Sequence, residues 1–234
     1  MKNQFEVKKV ILQFPPNGQR TRSGLVKAGR KIEVESFRII EEEMGHHSFP
    51  SEQWPIIRRV IHTTGDFDYA SRLRFTEDAV SRGIEALRSG SRIYADTRMI
   101  QAGLSPWRLE WHGNEVVCPA SNPESLELAQ KSGVTRTLAA FRSCGHDLDG
   151  AVVAVGNAPT ALLEVIRMIR EEGVRPGLLI GVPVGFVQAE ESKNDLMEVT
   201  QQPSISVLGR KGGSSVAVAI IHALLELTEK SDGL

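Results

Sequence analysis

The chain has 234 residues, 41% of them hydrophobic, with 28 Lys plus Arg against 29 Asp plus Glu. That is enough for one large core and too balanced in charge for a global field that would draw it to nucleic acid or an acidic membrane surface. Two cysteines, Cys118 and Cys144, exclude a disulfide framework, and neither lies in a Cys-x-x-Cys metal or redox pattern.

A reducing, cytoplasmic setting follows. The first residues lack the apolar core of a signal peptide, and apolar stretches of about ten residues are too short to span a bilayer, so a soluble protein is expected. Residues 1–30 carry Pro15-Pro16-Asn17-Gly18 and scattered basic residues without a sustained period, and read as a loosely packed arm before a single domain over 31–234. From Ile32 the residues Phe37, Ile40 and Met44 recur at helical spacing. A second helix is predicted from Ser51 as N-cap through Trp54, Ile57 and Ile61, and a third from a Thr76 cap to Ser89, ended by Gly90.

Short β-prone runs then alternate with helical ones. The strands are predicted at Ile93 to Ala95, Glu115 to Cys118, Ala151 to Val155, Leu178 to Val182 and Ile205 to Leu208. The helices are predicted at Pro123 to Ser132, Thr135 to Cys144, Pro159 to Glu172, Glu190 to Gln201 and Ser214 to Leu227. The runs Ala-Val-Val-Ala-Val and Leu-Leu-Ile-Gly-Val are apolar on both faces, as strands covered on each side must be. The fold class is therefore α/β: a three-layer α/β/α sandwich with a mostly parallel five-stranded sheet and a helical N-terminal segment.

Ligands of such sheets collect beyond the carboxyl ends of the strands. Three predicted exits are rich in glycine: Gly156-Asn157-Ala158-Pro159-Thr160, Gly181 to Val187 with Gly185 at its bend, and Gly209-Arg210-Lys211-Gly212-Gly213-Ser214-Ser215. Pro159 suits a first helical turn and would leave neighbouring amides free to face an anion, although a tight strand-to-helix turn explains the same residues. None of the loops spells G-x-G-x-x-G or a phosphate-loop pattern, so a ligand with several carboxylates fits them better than a nucleotide.

His62 falls at the end of the second helix, in Arg58-Arg59-Val60-Ile61-His62-Thr63-Thr64, where an imidazole could exchange a proton near neutrality or simply pack. His112, His146 and His222 are weaker candidates, and His46-His47 reads as a solvated turn. Cys144 and His146 lack a third partner of fitting spacing, so no metal is expected. Asp96 reads either as part of a strand exit or as the N-cap of the next helix.

In this order, Ser36-Phe37-x-Ile39-Ile40, Arg59-Val60-Ile61-His62, Gly113-Asn114-Glu115-Val116, Gly156 to Leu162, Gly181 to Lys193 and Gly209-Arg210-x-Gly212-Gly213-Ser214 resemble the precorrin-8X methylmutases. The resemblance runs from about Ile32 to Leu225. It implies a corrin-ring isomerase of cobalamin biosynthesis that moves a methyl group from C-11 to C-12 of precorrin-8X, or of cobalt-precorrin-8, without a cofactor. It further implies His62 as proton donor and Ser36 and Arg136 as positioning groups. Substrate contacts are expected from the loop residues Asn157, Thr160, Gly185, Gly212, Gly213 and Ser214, and from Lys193, whose charge could equally serve a neighbouring subunit or be solvated. A homodimer with sites near the subunit interface is also implied. His222 departs from the family pattern, which has asparagine there. A non-catalytic tetrapyrrole carrier would use the same loops without needing His62. An enzyme acting on small phosphorylated metabolites would explain the glycines but not the full motif series.

Overall fold

The computed structural model describes residues 22–230. Helix α1 (Arg22–Met44) already begins within the stretch expected to be a loose arm, and residues 1–21 of that arm, Pro15-Pro16 among them, lie outside the described residues. Helix α2 (Trp54–Thr64) starts two residues later than a Ser51 cap requires. Gln53 is its N-cap and makes no side-chain bond, and Pro55 fixes the first turn. At its other end Gly65 adopts φ 65° and returns its N–H to the Ile61 carbonyl at 2.7 Å. Ile56, Ile57, Val60 and Ile61 form its buried face, each contributing about 1.5–3 kcal/mol of transfer energy.

The next elements are α3 (Asp68–Arg72), β1 (Leu73–Phe75), α4 (Ala79–Arg88), β2 (Ile93–Ala95), α5 (Arg98–Gly103), α6 (Pro106–Leu109) and β3 (Val116–Val117). Thr76 does not cap α4. Asp78 precedes that helix, and the Thr76 hydroxyl instead accepts the Ser204 N–H at 2.8 Å. The remainder is α7 (Glu124–Ser132), α8 (Arg136–Cys144), β4 (Val152–Val155), α9 (Pro159–Arg167), β5 (Leu178–Gly181), α10 (Ala189–Glu198), β6 (Ser204–Val207) and α11 (Ser214–Lys230). The helix expected over Pro159 to Glu172 changes at Met168 into a five-residue π-helical turn, which Gly173 ends.

Among the described residues the sheet has six strands in the order β1-β6-β5-β4-β2-β3, one more than the five expected. The additional strand is β1, antiparallel to β6 with Leu73 opposite Val207; every other pairing is parallel. Alternation along the buried strands splits the core in two. Val152, Ala154, Leu178, Ile180, Ile205 and Val207 face the layer containing α2, α4 and α11. Val153, Val155 and Leu179 face the layer of α8, α9 and α10. Among the described residues no helix is long and apolar enough to cross a membrane.

Candidate functional site

Because β2 to β6 run parallel, their carboxyl ends deliver Asp96, Cys118, Gly156, Val182 and Leu208 to one edge of the sheet. Asp96 organises that edge. It is buried, and its Oδ1 accepts the Gly156 N–H at 3.0 Å while Oδ2 accepts those of Asn157 at 2.7 Å and Ala158 at 2.8 Å. Burial pushes its pKa up and the three amides pull the other way. The amides expected to be free for an anion are therefore already engaged by an internal carboxylate at the start of α9. Nor does Asp96 cap the helix that follows it, since Thr97 does so by accepting the Ile100 N–H at 3.3 Å.

The other exits interlock with this one. Thr97 and Ser214 share a hydroxyl hydrogen bond of 3.0 Å, and Gly156 lies so close to α11 that a Cβ there would meet the Ser214 Cα at 2.8 Å. The Val182 carbonyl accepts the Gly213 N–H at 2.8 Å, and the Arg210 carbonyl accepts the Gly185 N–H at 3.2 Å. Gly212, with φ 151°, presses against the Val182 carbonyl and leaves no room for a side chain. Thr160 reaches the Thr135 hydroxyl at 2.8 Å, and the side chain of Asn157 is exposed. Beyond this polar rim project Val184, Phe186 and Val187, the last two 82% and 79% exposed, with the Arg210 guanidinium 5.1 Å from the Phe186 ring centre.

Lys193, read from the sequence as a substrate contact, points inward. Its side chain is fully buried and its ammonium donates to the Lys211 carbonyl at 2.8 Å. Burial pushes its pKa down to about 8, with Glu190 opposing the shift and Arg72 adding to it. The folded value lies below the ordinary 10.5, so between about pH 8 and 10.5 the folded chain holds fewer protons than the unfolded one. Stability should therefore rise with pH across that window, by up to about 3 kcal/mol. Melting of the wild type and of Lys193→Met between pH 7.5 and 10 checks this: the wild type should gain on the variant as pH rises, and parallel curves would refute it.

Arg136 opens α8. Its Nε donates to the Ser125 hydroxyl at 2.9 Å and Nη2 to the Asn122 carbonyl at 3.2 Å. With Asp96, Thr97, Arg98, Cys118, Ala120 and Ser121 it lines a cleft of about 350 Å³. A larger hollow of about 510 Å³, lined by Phe49, Phe67, Phe75 and neighbours beside β1, shares no residue with these exits. It offers fewer convergent polar groups, and the cleft is taken as part of the site for that reason.

His62 belongs to a second group. It is half-buried in the last turn of α2 and packs in a T-shaped contact with Phe37 of α1, ring centres 5.2 Å apart, and the guanidiniums of Arg58 and Arg59 lie 4.4 Å and 5.2 Å from the Phe37 ring centre. The Ser36 hydroxyl donates to the Ile32 carbonyl within its own helix, at 2.8 Å. Among the described residues no hydrogen bond, ion pair or ring contact joins His62 directly to Arg136 or to the glycine-rich loops. The link is indirect: Lys211 pairs with Asp66 and, at 3.0 Å, with Asp68, just past the end of α2. The Lys211 and Asp96 contacts have no signature in the sequence, since each depends on residues brought together from distant segments.

Of the remaining histidines, His46 is exposed, while His47, His112, His146 and His222 are engaged in packing or polar contacts. His112 meets the Thr228 hydroxyl at 2.7 Å, His146 meets Asp149 at 2.8 Å, and His47 packs against Trp54 rather than lying in a solvated turn. His222 accepts the Ser105 N–H at 3.0 Å, and burial pushes its pKa down to about 4.

Residues 31–227 match the precorrin-8X methylmutase family. Cobalt-precorrin-8 methylmutase of Leptospira interrogans is 44% identical over 213 residues, covering 88% of this chain and 97% of that protein. The precorrin-8X methylmutase of Sinorhizobium sp is 37% identical, covering 85% and 95%. The crystal structure of precorrin-8X methylmutase from Thermus thermophilus superimposes with a TM-score of 0.81 at 47% identity, covering 87% of this chain and 98% of that one.

Proposed function

Because the chain belongs to the precorrin-8X methylmutase family, we propose that His62 supplies the proton for migration of a ring methyl from C-11 to C-12 and that the strand-exit loops hold the macrocycle. The enzyme is an isomerase of cobalamin biosynthesis acting on precorrin-8X or its cobalt complex. A methyl shift is internal to the substrate, so the protein need supply no nucleophile. A correctly placed acid and a rigid pocket that favours the product's conjugation suffice. The observation that carries the reading is the position of His62, half-buried against Phe37 on a helix whose end Lys211 ties to the loop rim.

In this reading Arg136 grips a substrate carboxylate, while Ser36, Asn157, Thr160, Gly185, Gly212, Gly213 and Ser214 shape the binding surface. Lys193 acts through the backbone of Lys211. The protein works as a cytoplasmic homodimer, and the exposed Val184, Phe186 and Val187 support a subunit or substrate contact beside the site.

Anaerobic mixing with precorrin-8X, and separately with cobalt-precorrin-8, tests the function through the visible spectrum. Catalytic change of the ring conjugation is expected. Stoichiometric binding without turnover would favour a carrier, and no response would refute both. Arg136→Ala should weaken product binding about tenfold to a hundredfold, the range for a lost charge-assisted hydrogen bond. Spectral titration with an unaltered affinity would remove Arg136 from the site.

A further inference from the structure

We infer that Arg98 and Arg136 together form a carboxylate subsite that takes one acidic side chain of the macrocycle, which makes Arg98 a further specificity-determining residue. The inference rests on the corrinoid function proposed above. Both guanidiniums line the same cleft at the carboxyl edge of the sheet. Each is aimed by a neutral partner: Arg98 Nε donates to the Ser121 hydroxyl at 2.8 Å and Arg136 Nε to the Ser125 hydroxyl at 2.9 Å.

Arginines elsewhere in the molecule are commonly matched by acids. Arg59 meets Glu33 and Glu226, Arg108 meets Glu226, and Arg142 and Arg167 converge on Glu164. Among the described residues neither Arg98 nor Arg136 forms an ion pair. Serine hydroxyls fix the direction of a guanidinium without neutralising it; Arg136 Nη2 also donates to the Asn122 carbonyl, and the remaining terminal N–H groups of the two arginines are left to a ligand. The carboxylate in this cleft, Asp96, directs both oxygens to the amides of Gly156, Asn157 and Ala158, so it does not compete for the arginines. Two planar, oriented cations around 350 Å³ suit a flexible acetate or propionate arm and have no use for an amide in its place.

The test is spectral titration of wild type, Arg98→Ala and Arg98→Lys with the carboxylate product and with a counterpart whose side-chain acids are primary amides. For the carboxylate product, Arg98→Ala should raise Kd about tenfold to a hundredfold, and Arg98→Lys should recover part of the loss. For the amide counterpart, Arg98→Ala should change Kd by less than about threefold, because a neutral amide forms no ion pair with the guanidinium and cannot accept its paired N–H groups through two equivalent oxygens. Equal losses for both ligands would show that Arg98 only supports the loop and would overturn the subsite. An unaffected Arg98→Ala enzyme with normal turnover would overturn it while leaving the methylmutase function standing. Failure of the wild type to bind or convert any corrinoid would overturn both.

Discussion

His62→Asn is expected to lower kcat by roughly a hundredfold to ten-thousandfold, the contribution of a positioned general acid, while product affinity stays within about twofold because no charge-assisted bond to a carboxylate is removed. Asparagine keeps a polar group of similar reach in the last turn of α2 and can still lie beside the Phe37 ring, but it carries no proton to give at accessible pH. The arginines at the Phe37 ring, Arg58 and Arg59, are held there by Glu41, Glu33 and Glu226, so the substitution should not reorganise the α1–α2 contact. Single-turnover spectroscopy separates binding from conversion. Unchanged conversion would remove His62 as the acid, and equal loss of binding and conversion would make it a ligand contact instead.

Asp96→Asn is expected to cost stability and activity together. Its two oxygens accept three amide N–H groups. An asparagine offers one oxygen, and its NH₂ must face either the Gly156 amide or the pair from Asn157 and Ala158. At least one buried donor then loses its acceptor, at about 1–3 kcal/mol, or a melting point lower by roughly 2–12 °C for a chain of this size. The Gly156 backbone also abuts Ser214, so relaxation of the first loop displaces the third, and turnover should fall by more than the melting shift alone suggests. Thermal melting and kcat checks both parts. A variant with wild-type values for each would show that the three contacts are dispensable.

The extent to which the sequence foretells the structure follows the reach of each interaction. β4 and β5 are legible because both faces of each strand are covered and apolar, which marks out the run without regard to its partner. β1 is not. Leu73-Arg74-Phe75 is too short for a period, and it is a strand only because β6 lies beside it. Helices α3, α5 and α6 escape for the same reason, at five, six and four residues.

At the site, glycines following β-prone runs reveal where the loops lie. What locks the loops together, the Asp96 carboxylate and the Lys193 ammonium, sits on other segments. Each charged residue looks equally suited to a ligand until its burial is known. The phenylalanine beside His62 was visible as a core residue of α1 but not as a ring partner, since that contact arises from helix packing.

The place of β6 in the sheet has a consequence for biosynthesis. β6 lies between β1 and β5, although it follows every other strand in the chain. Until its residues leave the ribosome, β1 has no pairing partner, and the apolar face of α2 lacks α11, whose Val216, Ile220, Leu224 and neighbours complete that half of the core. The nascent protein therefore carries an open strand edge and an uncovered helix until β6 and α11 have been made. Such long-range closure is the situation in which partly folded chains associate with one another or engage chaperones.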